Sequence, residues 1–271
     1  MRLEQYFEAV DDAYSLPTPA ETERQIRVLA NEAAAEYGEE SAECAALRSE
    51  LGGFYRGQGR YAESAAELSA ALAILERAVG KTSPDYATAL NNLAGTHRLL
   101  REFGLAAAEF SEALELCGAA LGKEHVLYAA GLNNLSLLCL DRNDLDGAEN
   151  YLRRSSAILE KLPECRDELA SSLCNLAALS FKRGKPEEGI PRLEQAITLF
   201  ETELGTDTPH YHAAWTSLGL CRRALGDFTG AISAFTKAAD AAASLYGEQH
   251  RDYCRILQYL EDVKTAMEEA Q

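Results

Sequence analysis

Asparagine recurs at a fixed interval through the middle of the chain. Asn92, Asn134 and Asn175 lie 42 and 41 residues apart, and Asn91 and Asn133 double the first two rungs. An asparagine side chain offers both a donor and an acceptor, so such a ladder can pair with the backbone of an extended peptide whatever its sequence. It can equally bond from one helix to the next and hold a stack together. A second set, Arg56, Arg98 and Arg223, shares a register six residues beyond the position of Asn92. Arginines there can grip carboxylates in a bidentate fashion or simply face water.

Other chemistries find little footing. His210-Tyr211-His212 lacks spaced carboxylate or thiolate partners for a metal, and its position suits a turn and cap. His125 and His250 also fall in turns, and His97 reads as a packing residue. Seven cysteines, an odd number with no C-x-x-C pair, speak against a zinc site or redox motif. Unpaired thiols fit a reducing compartment, so a cytoplasmic location is expected. No G-x-S-x-G, Walker loop or dinucleotide fingerprint occurs. The expectation is a protein that is not an enzyme, with no catalytic residue, metal or cofactor.

Charge narrows the partner. The chain has 43 acidic and 26 basic residues, a formal net charge of −17. Nucleic-acid binding needs lysine and arginine to neutralise phosphates, and an anionic membrane surface needs the same, so neither is expected. A basic protein would be steered towards this surface, although net charge speaks to solubility first. The first residues lack the apolar core of a signal peptide, and no apolar run approaches the roughly 18 residues of a membrane span.

The elements that would position these side chains are written in the repeat. An apolar or aromatic residue followed by glycine appears at Tyr37-Gly38, Val79-Gly80, Leu121-Gly122, Leu204-Gly205 and Tyr246-Gly247. The glycines are 42, 42, 83 and 42 residues apart, the 83 marking one missing glycine at Leu162-Pro163. Glycine just past a helix end takes a left-handed conformation cheaply. Ser83, Asp207 and Thr208 are candidate N-caps for the helices that follow, with Pro84 and Pro209 suited to the first turn. Within each period a second, tighter turn separates two helical patterns. The second helix repeats a small–large–small order: Ser64, Leu68, Ala71; Ala106, Phe110, Ala113; Ala148, Leu152, Ser155; Gly189, Leu193, Ala196; Ala231, Phe235, Ala238. Small residues let helices approach closely while the large one fills the gap.

With matching positions Leu51-Gly52, Leu93-Ala94, Leu135-Ser136, Leu176-Ala177 and Leu218-Gly219 in the first helices, this order resembles the tetratricopeptide signature. The runs Leu90-Asn91-Asn92-Leu93-Ala94 and Leu132-Asn133-Asn134-Leu135-Ser136, at a 42-residue period, are similar to the longer repeats of kinesin light chains. The fold implied is all-α, a right-handed superhelical solenoid of antiparallel helix pairs with about 13 helices. One array is expected: a degenerate capping pair over 1–40, five repeats of about 42 residues over 41–247, and a capping helix over 248–271. The stripe expected to seat that last helix is Tyr253, Leu257, Leu260 and Val263. Helices of about 17–19 residues follow from the long period.

The resemblance also implies a function. In such arrays the first helix of each pair lines a concave groove that holds a peptide or protein segment. By register the groove receives Arg56, Thr88, Asn91, Asn92, Arg98, Asn133, Asn134, Asn175 and Arg223, and in kinesin light chains asparagines at matching positions help hold cargo peptides. Chaperone-tail binding would need paired lysines where this chain has Ala, Ser, Thr, Asn or Cys. The expected function is therefore a protein-interaction adaptor for a protein or peptide partner that is basic or bears exposed carboxylates. A sensor of a peptide signal and a self-assembling scaffold are the alternatives, and the oligomeric state stays open.

Overall fold

The computed structural model describes residues 2–269. Among them the chain forms thirteen α-helices and no strand. It divides into two compact units, residues 1–138 and 139–271. The first contains α1 (Leu3–Tyr14), α2 (Pro19–Tyr37), α3 (Ala42–Gly57), α4 (Tyr61–Ala78), α5 (Pro84–Leu99), α6 (Phe103–Ala120) and most of α7 (Val126–Asp141). The second contains α8 (Leu145–Leu159), α9 (Arg166–Lys182), α10 (Pro186–Leu199), α11 (Pro209–Ala224), α12 (Phe228–Tyr246) and α13 (Arg251–Glu269). A short π-helical turn, Phe200–Leu204, prolongs α10.

Local chemistry sets the boundaries. Thr18, Ser41, Ser83 and Thr208 each accept a hydrogen bond from a backbone N–H three residues on, and a proline follows three of them at the first helical position. Of the two candidates before α11, Thr208 is the cap and Asp207 stands outside it. Asp144 and Asp227 cap α8 and α12 in the same way from the tight turns. First helices in the central repeats run 16–17 residues, slightly under the expected length, because each stops two residues before the left-handed residue of its tight turn.

That left-handed residue recurs as Gly59, Arg101, Asn143, Gly184 and Gly226, with φ of 75°, 65°, 59°, 73° and 78°. Asparagine tolerates the conformation, whereas an arginine there is strained by about 1–2 kcal/mol. Arg101 recovers little in return: its guanidinium lies 5.7 Å from the Phe103 ring and forms no ion pair among the described residues. Arg101→Gly relieves this strain, offset in part by the greater entropy glycine gives the unfolded chain, and is expected to stabilise the first unit by about 0.5–1 kcal/mol, read as a higher denaturant midpoint.

The small–large–small register sets the packing. All fifteen of its residues are buried, and Leu68, Phe110, Leu152, Leu193 and Phe235 are each 1% exposed or less. Gly52 and Gly219 face these large residues so closely that an added Cβ would stand 2.7 Å from Leu68 Cγ and 2.6 Å from Phe235 Cε1. In the first unit the core continues through Tyr6, Val10, Ile26 and Leu29, so α1 and α2 pack on α3 through Leu47, Leu51, Phe54 and Tyr55. In the second, α13 seats Ile256, Leu260 and Val263; Leu257, expected in that stripe, is 39% exposed.

Candidate functional site

In the first unit, α3 and α5 stand side by side with their groove positions facing a cleft of about 370 Å³. Arg56, Asn92, Gly95, Arg98 and Asn134 line it. Gly95 leaves the space into which Arg56 extends: a Cβ there would lie 3.2 Å from Arg56 Nη1. That nitrogen donates only a long hydrogen bond, 3.4 Å, to the backbone carbonyl of Asn92. Arg56 forms no ion pair among the described residues. Burial first, and then the like charge of Arg98, pull its pKa below the ordinary arginine value; Tyr14 and Glu50 oppose the shift. A guanidinium partly withdrawn from water without a carboxylate carries a cost that an incoming anion would relieve.

The asparagines divide into two behaviours. Asn134 Nδ2 donates to Asn91 Oδ1 at 3.2 Å, tying α7 to α5 across 43 residues of sequence. Asn133, Asn175 and Arg98 are likewise engaged within the protein. The Asn92 side chain, by contrast, has no hydrogen-bond partner among the described residues, and its amide borders the cleft beside Arg56. Thr88 is exposed and its hydroxyl donates back to the Pro84 carbonyl at 3.0 Å. In the second unit, Arg223 is taken up by α13, with Asp262 Oδ2 at 3.9 Å and the Tyr259 ring at 5.7 Å.

A second cleft of about 460 Å³ adjoins Asn92 on the side of α1, where Leu3 and Phe7 supply part of its wall. Residues 1–38 carry no repeat register, so sequence reasoning had no way to bring α1 to this groove. His97, expected to pack, is mostly buried but also polar in role: its Nδ1 lies 2.7 Å from Glu109 Oε2.

Among the described residues no group of three or more His, Cys, Asp or Glu side chains is placed to hold a metal ion. All seven cysteines are free. Burial pushes the thiols of Cys174 up to about 12 and of Cys139 and Cys221 up to about 11, which suppresses the reactive thiolate. No described helix is long and apolar enough to cross a membrane.

His212 of the His-Tyr-His run is a core residue, 6% exposed, with Nδ1 unpartnered and its ring edge-on to Tyr246 at 5.6 Å. Burial lowers its pKa; Asp252 opposes the shift, while Arg255, His250 and His210 add to it. The unfolded chain therefore binds the extra proton first as pH falls. The second unit is expected to keep its full stability above about pH 6.5 and to lose part of it below. Melting temperatures at neutral and mildly acidic pH should show this drop in the wild type and a smaller one in His212→Phe.

This chain belongs to the tetratricopeptide repeat family. One family profile of that description matches residues 42–117 and 100–161, and a second matches residues 175–245. Its repeats resemble those of kinesin light chain. No curated protein matches the chain significantly. Among solved structures, BtubC (BKLC) from P. vanneervenii is 18% identical, with 93% of this chain and 95% of that one aligned at a TM-score of 0.63. Nearly identical tetratricopeptide-like repeats from Podosopora anserina, named for kinesin light chain, are 19% identical over 73% of this chain and 95% of theirs, TM-score 0.56. A chain of the Cut9-Hcn1 hetero-tetramer of APC/C is 15% identical over 89% of this chain and 43% of its own, TM-score 0.63. At these identities the likeness speaks to the fold alone. Tetratricopeptide repeats are in general protein–protein interaction modules and typically non-enzymatic scaffolds.

Proposed function

We propose that the protein is an adaptor that holds an extended segment of a partner protein along α3 and α5 of its first unit, with the cleft between them as the principal contact. The observation that carries this reading is the partly buried Arg56 guanidinium, without an ion pair, beside the unpartnered amide of Asn92. A carboxylate of the partner neutralises Arg56, with Arg98 at the same cleft. The Asn92 amide bonds the partner's backbone, and this contact is indifferent to its side chains. Asn91 and Asn134 hold α5 and α7 at the spacing the cleft requires. Protein partnering on this fold is also in keeping with the Cut9-Hcn1 hetero-tetramer. Arg223, at the matching position of the second unit, is already taken up by Asp262 and Tyr259. We infer a cytoplasmic setting from the seven free cysteines.

The test is selection from a random peptide library, followed by affinities for wild type, Arg56→Gln and Asn92→Ala, with helicity checked by circular dichroism. A charge-assisted hydrogen bond is worth about 1.5–3 kcal/mol, so Arg56→Gln should weaken carboxylate-bearing peptides by about tenfold or more. A neutral hydrogen bond is worth about 1 kcal/mol, so Asn92→Ala should cost about fivefold. Equal binding by all three folded proteins would move the partner to another face.

A further inference from the structure

The second cleft has a character of its own. Leu3 and Phe7 of α1 and Leu75 of α4 give it apolar walls, while Glu43, Glu50 and Asp85 supply acids. None of the three acids forms an ion pair among the described residues, although carboxylates elsewhere in this unit do, as Glu23 does with Arg60 and Glu67 with Arg48. Glu43 and Asp85 sit in the first turns of α3 and α5, where the helix dipole favours a negative charge. Glu50 lies two turns further in and has no such compensation. Burial and then the neighbouring Asp11 raise its pKa, against a weaker opposing pull from Arg56.

We infer that this cleft is a basic-and-apolar subsite, and that one extended peptide fills both clefts, with a lysine or arginine beside a bulky apolar residue on Glu50 and a carboxylate on Arg56. The inference rests on the adaptor reading and adds the order of charges to it. Asn92 borders both clefts and joins them. Glu50 and Arg56 are six residues apart on one helix, about 9 Å along its axis. An extended chain covers about 3.3 Å per residue, so the basic and acidic residues of the ligand stand about three positions apart. Opposite charges at the two ends of one groove also fix the direction in which the peptide lies.

The probes are two acetylated and amidated peptides carrying Leu-Lys-Gly-Ser-Glu and the reverse order, each with versions in which lysine or glutamate becomes glutamine. One order is expected to bind wild type. Its lysine-to-glutamine version should bind wild type about tenfold more weakly, yet bind Glu50→Gln no worse than the parent peptide does. Its glutamate-to-glutamine version should show the same pattern with Arg56→Gln. Glu50→Gln should melt no lower than wild type, since it removes an unpaired, partly buried charge; its loss of binding is then not loss of fold. Binding that depends on Arg56 but ignores the lysine would overturn the subsite and leave the adaptor reading standing. If neither order binds, or binding ignores Arg56 and Asn92 as well, both fall. A concentration-dependent dimer by light scattering that Glu50→Gln abolishes would give the cleft to a second copy of the chain and overturn the peptide.

Discussion

Phe235→Ala is expected to destabilise the second unit by about 3–5 kcal/mol, the usual cost of truncating a fully buried phenylalanine. The ring is 0% exposed on α12 and lies against Gly219 of α11 on one side and the Tyr259 ring, 5.5 Å between centroids, on another. Its neighbours along α12 in the register, Ala231 and Ala238, are small and fully buried. These flanking residues are too short to reach into the vacated space, so a cavity opens beside the Tyr259 ring. The reverse change is also costly: a methyl at Gly219 meets the ring at 2.6 Å and would force a repacking worth about 1–3 kcal/mol. Trp215, the single tryptophan, is buried on α11 four residues before Gly219, so its fluorescence during denaturation reports on this seam. A loss below about 1 kcal/mol for Phe235→Ala would mean that α11 and α12 can slide together, and that the register specifies less than its regularity implies.

The same seam shows why so much of the fold could be read from the chain. The small–large–small triads encode a distance between helices, and the glycines after Tyr37, Val79 and Leu121 encode the stops. Both are local signals repeated at a period, so each copy corroborates the others. Where the repeat lapses, legibility lapses with it. Residues 1–38 carry no register, and neither the docking of α1 beside α3 nor the place of Leu3 and Phe7 in a cleft could be deduced from them. A shift of one residue on α13, from Leu257 to Ile256, turns a side chain by about 100° and separates a buried position from an exposed one. The candidate site was legible to the same degree. Register placed Asn91, Asn92 and Asn134 on one face, but which amides bond to each other depends on side chains 43 residues apart. Likewise Arg56 and Arg223 occupy the same position in their repeats, yet only Arg223 finds an acid, because α13 supplies Asp262.

That contrast between the two arginines leads to the change that should most affect binding. Gly95→Asp is expected to abolish most of the affinity for carboxylate-bearing peptides, about tenfold to a hundredfold, while leaving the fold intact. A Cβ at residue 95 stands 3.2 Å from Arg56 Nη1, and the displaced guanidinium is the end of a flexible side chain rather than backbone. The carboxylate one bond further on would therefore form, within the protein, the ion pair that Arg56 lacks. A ligand would then have to break this pair before making its own, and a charge-assisted contact of about 1.5–3 kcal/mol sets the size of the loss. Aspartate also has a slightly better helix propensity than glycine, and neutralising Arg56 removes an unpaired charge, so thermal stability should hold or rise. Gly95→Ala separates crowding from charge: it moves Arg56 by a few tenths of an ångström and should weaken binding only a few-fold. Titration of one selected peptide into wild type and both variants decides the matter. Full affinity in Gly95→Asp would show that Arg56 takes no part in holding the partner. A loss equal in the two variants would show that the cleft acts by its shape rather than by its charge.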